Sequence, residues 1–509
     1  MIKQQIYFLS IFLLIISCTP SSDIQKEYAT SIVAGTSKIS GKINLPHSVI
    51  KDSITVTIYV SHPITGENVE YEILLDQSRI FSQEIDIETE TSLVGLKTNL
   101  DPYKVFRIKA INNDSAHIEI TYDSGNALKN VEIIPAMNKY DMMQSVEIFN
   151  KMASYIPTDP NLEYPHLYNK SIDEFQSIVK KNFSRRLELF VDNDNLLSEE
   201  FKDFIAKDYQ LFLYTRHVFA YEAQMKINYR KATRDKVNIP DIQKIDRSHF
   251  RFLKNFDLSD SQYLMIYSFS EFQDSILKNE ILAIPTIGER DIPSWLNEVK
   301  GILSNLVGFD EGQYYDILVA NAYSRQLKEE SRSLSAMQKE NIANYWKDGE
   351  IVKILFRKNE NVIAYEKLKS PTVVNDISLV PKEEVMHNIL SAYKNKVVFI
   401  DLWATWCGPC LHAMKQFNTV KGDFQGKDIA FVYITNRSSP KKLWEEKIKG
   451  IGHNHYYLTD EQWEYIMNQF DFDYIPSYLL YSKEGRMVNK FSSFPGNHVV
   501  KAEISKLFN

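Results

Sequence analysis

The stretch DLWATWCGPC, residues 401–410, decides the fold of the C-terminal part of this chain. It contains Cys407 and Cys410, two of only three cysteines in 509 residues. The apolar run VVFI at 397–400 directly precedes the stretch and predicts a fully buried strand, and a helical pattern continues after it from residue 414. A cysteine pair in this position can bind a metal, brace the fold or carry electrons, so its surroundings must distinguish these three uses.

Strand and helix patterns alternate from residue 374 to the C-terminus. This order predicts an α/β domain over 374–509, with a central sheet covered by helices on both faces. The predicted strands are 397–400, 429–434, 477–481 and 487–491, and the predicted helices are 385–393, 414–424, 441–448, 461–470 and 497–508.

Residues 399–410 strongly resemble the active-site segment of thioredoxins. The helical insertion between the strand at 429–434 and the Ile475-Pro476 dipeptide is similar to that of TlpA and ResA relatives, which are envelope-facing thiol-disulfide oxidoreductases. The resemblance covers roughly the last quarter of the chain. It implies a thioredoxin fold with a redox-active disulfide between Cys407 and Cys410, and we expect no cofactor beyond that disulfide.

The cysteine pair has the arrangement that disulfide exchange requires. A strand that leads into a helix here places Cys407 at the helix N-terminus, where unpaired amide hydrogens and the helix dipole favour the thiolate. Cys410 lies about one turn later, within disulfide reach but turned inward. Gly408 allows a substrate backbone to approach, and Pro409 suits an early helix position. We therefore expect Cys407 to be the nucleophile and Cys410 the resolving cysteine.

The resemblance implies further roles around the pair. Asp401 matches the buried aspartate that handles the proton of the resolving cysteine, and its pKa should be raised; a strand-end cap or an ion-pair partner is the alternative. Trp403 and Trp406 match the two tryptophans of the family, one packing in the core and one shielding the pair. Pro476 matches the proline whose peptide bond is cis and faces the disulfide, which leaves the backbone of Ile475 free to pair with an extended substrate. The predicted substrate-binding residues are Trp406, Gly408, Pro409, Ile475 and Pro476.

Other uses of the two cysteines fit less well. A structural zinc site needs four ligands, and His412, His453 and His455 would have to complete it because no second cysteine pair exists. Covalent haem attachment needs a histidine directly after the second cysteine, where Leu411 stands. The context of a peroxidatic cysteine is missing as well. We therefore predict no metal site.

The N-terminus predicts export. Lys3 and the apolar run 6–16 are typical of a signal peptide, here assigned to residues 1–17. Ser17-Cys18 at its end resembles the lipobox of bacterial lipoproteins, which implies that Cys18 is acylated; an uncleaved anchor with an incidental thiol is the alternative. Residues 18–37 are polar and predict a tether.

The middle of the chain predicts two extension domains and a connector. Period-two alternation over 38–136 predicts an antiparallel β-sandwich, with a hairpin turn at 62–67. Helical spacing over 137–346 predicts an all-α domain, in which Ser171 with Glu174 forms a capping box and the many aromatic residues pack in the core. Two short β-like runs within 347–373 flank the polar trio at 358–360, which predicts a turn, so this segment predicts a β-hairpin or linker.

These features predict a lipid-anchored, periplasm-facing thiol-disulfide oxidoreductase that reduces or isomerises protein disulfides. The expected partners are protein thiols and disulfides, the membrane and a membrane electron donor. The formal net charge of −7 provides no basic surface, which argues against nucleic acid as a partner. The alternative is an envelope binding or scaffold lipoprotein in which the thioredoxin-like domain is mainly structural. The redox direction, the substrates and the oligomeric state stay open.

Overall fold

The computed structural model describes residues 28–46, 54–157, 163, 167–234, 240–368 and 371–508. The predicted signal peptide, the predicted lipidation site Cys18 and the first part of the predicted tether lie outside these residues. Across the described ranges, no helix is both long enough and apolar enough to cross a membrane.

The N-terminal part forms two four-stranded sheets around one core. Its strands are β1 (Ile32–Asn44), β2 (Ile54–His62), β3 (Glu67–Leu75), β4 (Ile80–Thr89), β5 (Thr91–Thr98), β6 (Asp101–Ile111), β7 (Ser115–Tyr122) and β8 (Leu128–Ile134). The sheet orders are β4-β1-β7-β8 and β3-β2-β5-β6, and the predicted β2–β3 hairpin is present. Ile39 and Ile118 of one sheet share a core with Val56 and Phe106 of the other, because alternation buries one face of each sheet.

Two expectations for this part are wrong. Strands β1 and β7 pair in parallel, with Ile39 opposite Ala116, so the sandwich is not wholly antiparallel. The two strands lie far apart in the chain, and the strands between them let the chain return in the same direction. The predicted tether at 18–37 also ends too late, because β1 begins at Ile32.

The middle of the chain is helical. Its helices are α1 (Lys139–Ser154), α2 (Ile172–Leu187), α3 (Glu199–Leu213), α4 (Tyr221–Thr233), α5 (Phe269–Leu277), α6 (Ile292–Val307), α7 (Gln313–Glu329), α8 (Ala336–Trp346) and α9 (Glu350–Leu368). Ser171 and Glu174 form the predicted capping box at the start of α2. Tyr209, Tyr214 and Tyr221 are buried in the helical core, which confirms that the aromatic residues pack there.

The predicted hairpin within 347–373 is wrong, because helix α9 occupies most of this segment. The polar trio at 358–360, which predicted a turn, lies in the middle of α9. Asn359 is 1% exposed, and its side-chain oxygen accepts a hydrogen bond from the Leu334 amide at 2.7 Å. Packing against the helical core therefore overrides the local turn pattern, and the helical part extends beyond the predicted end at residue 346.

The C-terminal part is an α/β unit with one six-stranded sheet. Its strands are β9 (Thr372–Asn375), β10 (Val397–Leu402), β11 (Ile429–Asn436), β12 (His453–Leu458), β13 (Ser477–Tyr481) and β14 (Met487–Phe491). Its helices are α10 (Val385–Ser391), α11 (Gly408–Lys421), α12 (Lys441–Ile451), α13 (Asp460–Gln469) and α14 (Asn497–Lys506). The order is β14-β13-β10-β11-β12-β9, with β9 to β12 parallel and β13 antiparallel to β10.

Separate apolar cores cover the two faces of this sheet, which confirms the predicted α/β arrangement. The sequence pattern misses β9 and β12, because β9 has four residues and β12 begins with His453-Asn454-His455 rather than an apolar run. The predicted domain start at residue 374 falls inside β9.

Candidate active site

The cysteine pair lies at the start of α11, as predicted. Cys407 is the N-cap residue, and the Cys410 amide lies 3.2 Å from the Cys407 sulfur. The two residues form a disulfide with their Cα atoms 5.3 Å apart. Cys407 is 4% exposed and Cys410 is fully buried, so any partner reaches Cys407 first. A thiolate at this position would meet the unpaired amides of the first helical turn.

The residues between the cysteines leave the approach to the disulfide open. Pro409 occupies the first turn of α11, where the missing amide hydrogen costs no helical bond. A Cβ atom added at Gly408 would have no described atom within 4 Å. A substrate backbone therefore has room beside Gly408.

Asp401 is buried on the same face of the sheet as the cysteines. Phe399 and Trp403 pack in one core with Cys407 and Cys410, and Asp401 alternates onto that face of β10. Among the described residues, no hydrogen-bond donor contacts Asp401 Oδ1. Burial raises the pKa of Asp401 to about 8, although the Lys421 ammonium acts to lower it. The raised pKa agrees with the expectation for a group that exchanges a proton near neutral pH.

The two tryptophans differ in burial. Trp403 is fully buried in the core, while Trp406 is 63% exposed beside Cys407. The indole Nε1 of Trp406 donates a hydrogen bond to Ser438 Oγ at 3.1 Å. The Thr405 amide donates to Ser439 Oγ at 3.0 Å. The loop after β11 therefore supports the segment that leads into the cysteines.

The Ile475–Pro476 peptide bond is cis, as the resemblance implies. Ser477, the next residue, lies opposite Leu402, the last residue of β10. This register brings Pro476 to the sheet edge where the chain leaves β10 for the cysteine segment. Ile475 is half-buried against the core, and Tyr474 before it is 56% exposed.

The histidines that a zinc site would need do not form a metal-binding group with the cysteines in the described part of the chain. His453 and His455 are on β12, where burial lowers their pKa values to about 3 and about 4. His412 lies on α11 and contacts Glu70 of β3. The described part of the chain holds no group of three or more histidine, cysteine or acidic residues that could bind a metal ion.

Sequence reasoning missed several residues near the site. Ser438 and Ser439 follow a buried parallel strand. The carboxyl ends of neighbouring parallel strands meet at one edge of the sheet, so the position of these serines in the sequence indicated that they lie near the cysteine segment. Lys421, at the end of α11, is 9% exposed with its Nζ 4.9 Å from the centre of the Tyr433 ring. No local pattern indicates the contact between Glu70 and α11, because it joins residues from distant parts of the chain.

Comparisons with known proteins agree with this geometry. A family model described as thioredoxin-like matches residues 395–487. The thiol-disulfide oxidoreductase ResA of Geobacillus thermodenitrificans is 26% identical over 98 residues, which is 19% of this chain and 55% of that protein. Thioredoxin 2 of Chlorobaculum tepidum is 43% identical over 35 residues, 7% of this chain and 32% of that protein. The chain thus spans about half the length of its ResA relatives.

Solved structures align with about a quarter of the chain. The thioredoxin domain of a thiol-disulfide oxidoreductase from Bacteroides vulgatus is 16% identical, with a TM-score of 0.22, and the match covers 24% of this chain and 84% of that structure. A thiol:disulfide interchange protein of the thioredoxin family from Chlorobium tepidum is 18% identical, with a TM-score of 0.21, covering 23% and 84%. Residues 395–487 thus match the thioredoxin-like family, and this C-terminal part of the chain is similar to thiol-disulfide oxidoreductases of the ResA type.

Proposed function

We propose that this protein reduces or isomerises disulfides of other proteins through Cys407 and Cys410. The observation that carries the proposal is the cysteine pair at the N-terminus of α11, with the outer cysteine slightly exposed and the inner one buried. Asp401 on the same face of the sheet and the cis-Pro476 loop beside β10 add to it.

The reaction would begin with the reduced pair. The Cys407 thiolate attacks one sulfur of a substrate disulfide, forms a mixed disulfide and releases the other sulfur as a thiolate. Cys410 then gives its proton to the Asp401 carboxylate and attacks the Cys407 sulfur. The bond between Cys407 and the substrate breaks, the Cys407–Cys410 disulfide forms, and two electrons have passed to the substrate, whose thiolates take up protons.

Several residues would bind the substrate. Trp406 presents an exposed indole, Gly408 leaves space for a backbone, and Pro409 holds the first helical turn. Ile475 and cis-Pro476 would offer backbone groups to an extended segment of the substrate. A membrane electron donor would return the pair to its dithiol form, which needs two electrons and two protons in each cycle.

We also propose that the protein is exported to the periplasm and lipid-anchored through Cys18. The lipobox-like Ser17-Cys18 ending supports this proposal. In cells supplied with a labelled fatty acid, the wild-type chain should incorporate the label and Cys18→Ala should not. Equal labelling of both chains would contradict the anchor.

Insulin reduction by the full-length protein tests the activity. The wild type should turn over insulin with dithiothreitol as reductant, whereas Cys407→Ser and Cys410→Ser should not sustain turnover. Cys410→Ser should also accumulate mixed disulfides with its substrates in cells, because the resolving step is lost. Turnover that survives either substitution would contradict the redox proposal and favour the alternative, a binding or scaffold lipoprotein.

A further inference from the structure

One face of the active-site helix α11 contacts strand β3 of the N-terminal sandwich. Lys415 Nζ lies 2.9 Å from Glu67 Oε1, and Gln416 Nε2 donates to Glu70 Oε2 at 2.8 Å. His412 Nε2 lies 3.2 Å from Glu70 Oε1. Because these three α11 residues are spaced by three and four positions, they share one face of the helix. We call this contact the β3–α11 interface.

Glu67 anchors the β3–α11 interface. Its side chain is 2% exposed, and its second carboxylate oxygen lies 2.7 Å from Lys358 Nζ of α9. Burial acts to raise the pKa of Glu67, but Lys415 and Lys358 outweigh it and hold the pKa well below its usual range. A charged carboxylate therefore joins the N-terminal sandwich, the helical part and the C-terminal α/β unit, which we call the redox unit. This contact holds β3 in a defined position beside α11.

Glu70 brings a second carboxylate closer to the cysteines. Its partner His412 is the fifth residue of α11, which puts His412 about 7.5 Å beyond Cys407 along the helix axis. This separation is within about one Debye length at physiological salt. The Glu70 side chain is only 20% exposed, so solvent screens its charge incompletely. The negative charge of the Glu70 carboxylate can therefore affect the stability of a thiolate at the N-terminus of α11.

We propose that Glu70 is a positioning residue that sets the reduction potential of the Cys407–Cys410 pair through His412. This inference rests on the proposed function of that pair. Reduction takes up two electrons and two protons, and the nucleophilic form of Cys407 then loses one proton to become a thiolate. When it is protonated, His412 stabilises that thiolate, and the Glu70 carboxylate offsets its positive charge. Glu70 therefore favours the disulfide and makes the pair more reducing.

Equilibration of the full-length protein with glutathione measures this effect. In this exchange, two glutathione thiols reduce the Cys407–Cys410 disulfide and become glutathione disulfide. Glu70→Gln should shift the equilibrium about threefold toward the protein dithiol, as expected when one charge is removed at roughly the spacing of His412 from Cys407 in a largely aqueous setting. That factor corresponds to about 14 mV for a two-electron couple. Glu70→Gln should also raise the ionisation constant of the Cys407 thiol about threefold, followed by thiolate absorbance in the reduced protein.

Glu72 provides a matched control on the same strand. Its Oε1 lies 2.8 Å from His498 Nδ1, so it makes the same kind of contact, but with α14 rather than with the active-site helix. Glu72→Gln should leave the glutathione equilibrium unchanged. His412→Gln should shift the equilibrium toward the disulfide, because Glu70 then keeps an uncompensated negative charge. In the double variant Glu70→Gln/His412→Gln, the equilibrium should return close to that of the wild type.

The outcomes separate this inference from the proposed function. Equal shifts in Glu70→Gln and Glu72→Gln, or no shift in Glu70→Gln, would overturn the role of Glu70. Shifts in the same direction in Glu70→Gln and His412→Gln would also overturn the role of Glu70. A merely structural effect would not depend on the sign of the removed charge, whereas an electrostatic effect would reverse with it. A wild-type pair that glutathione can neither reduce nor reoxidise would instead contradict the proposed function itself.

Discussion

The buried carboxyl of Asp401 should make the stability of the redox unit fall as the pH rises. Its pKa is raised from 3.8 to about 8 in the folded, oxidised protein because burial disfavours the charged form. Between these two values the native state keeps a proton that the unfolded state has lost, so stability decreases with pH. At 1.36 kcal/mol for each pH unit, the contribution of Asp401 to the free energy of unfolding should drop by about 4 kcal/mol between pH 5 and pH 8. The isosteric Asp401→Asn carries no charge and should lack this slope.

Hydrogen exchange followed by mass spectrometry can measure this effect on the oxidised full-length chain. The protection of β10 and β13 peptides, corrected for the intrinsic pH dependence of exchange, should decrease with pH relative to that of Asp401→Asn, since the buried histidines of β12 contribute the same pH dependence to both proteins. Asp473→Asn replaces an exposed aspartate of the same unit and should keep the wild-type slope. Parallel slopes for the wild type and Asp401→Asn would show that Asp401 does not hold a proton above pH 5, and the reasoning from burial would fail.

Three further predictions concern contacts outside the disulfide. Glu67→Gln should lower the stability of the β3–α11 interface by roughly 2 kcal/mol, which is less than for a fully buried ion pair because its partner Lys415 is half exposed. Limited proteolysis between the sandwich and the redox unit should then be faster, and an unchanged cleavage rate would contradict the prediction. Asn359→Ala leaves the buried Leu334 amide without its hydrogen-bond acceptor and should lower the free energy of unfolding by about 1–3 kcal/mol, measured by thermal or denaturant unfolding. An unchanged stability would argue against helix α9. Ser438→Ala removes the hydrogen-bond acceptor of the exposed Trp406 indole and should change the tryptophan fluorescence spectrum. It should lower the free energy of unfolding by less than about 1 kcal/mol. An unchanged spectrum would argue against this hydrogen bond.

Much of the redox unit follows from local sequence signals. A fully apolar run predicts β10, because only a strand covered on both faces buries every residue. The position of Cys407 at the start of α11 follows from the residues that surround it. The raised pKa of Asp401 follows from its place in a buried strand. Each of these features depends on neighbours within a few positions along the chain.

Other features depend on packing that the local sequence does not contain. The trio 358–360 has turn-forming composition, yet it lies inside α9 because Asn359 finds a buried partner in the Leu334 amide. The parallel pairing of β1 with β7 joins strands that are distant in the chain. The local pattern of residue types does not include partners from distant parts of the chain. For this reason the predictions of a hairpin within 347–373 and of a wholly antiparallel sandwich are wrong.

The sequence by itself determined the chemistry that we propose, because the proposed nucleophile Cys407 and the proposed resolving cysteine Cys410 are encoded within four residues. Only the tertiary structure decided what surrounds that chemistry. Glu70 and Gln416 are 346 positions apart, and their contact exists only because the sandwich packs against the face of α11 that carries His412. The Glu70 carboxylate, which we propose acts on Cys407, reaches α11 only through this long-range packing, and such packing leaves no periodic pattern in the sequence.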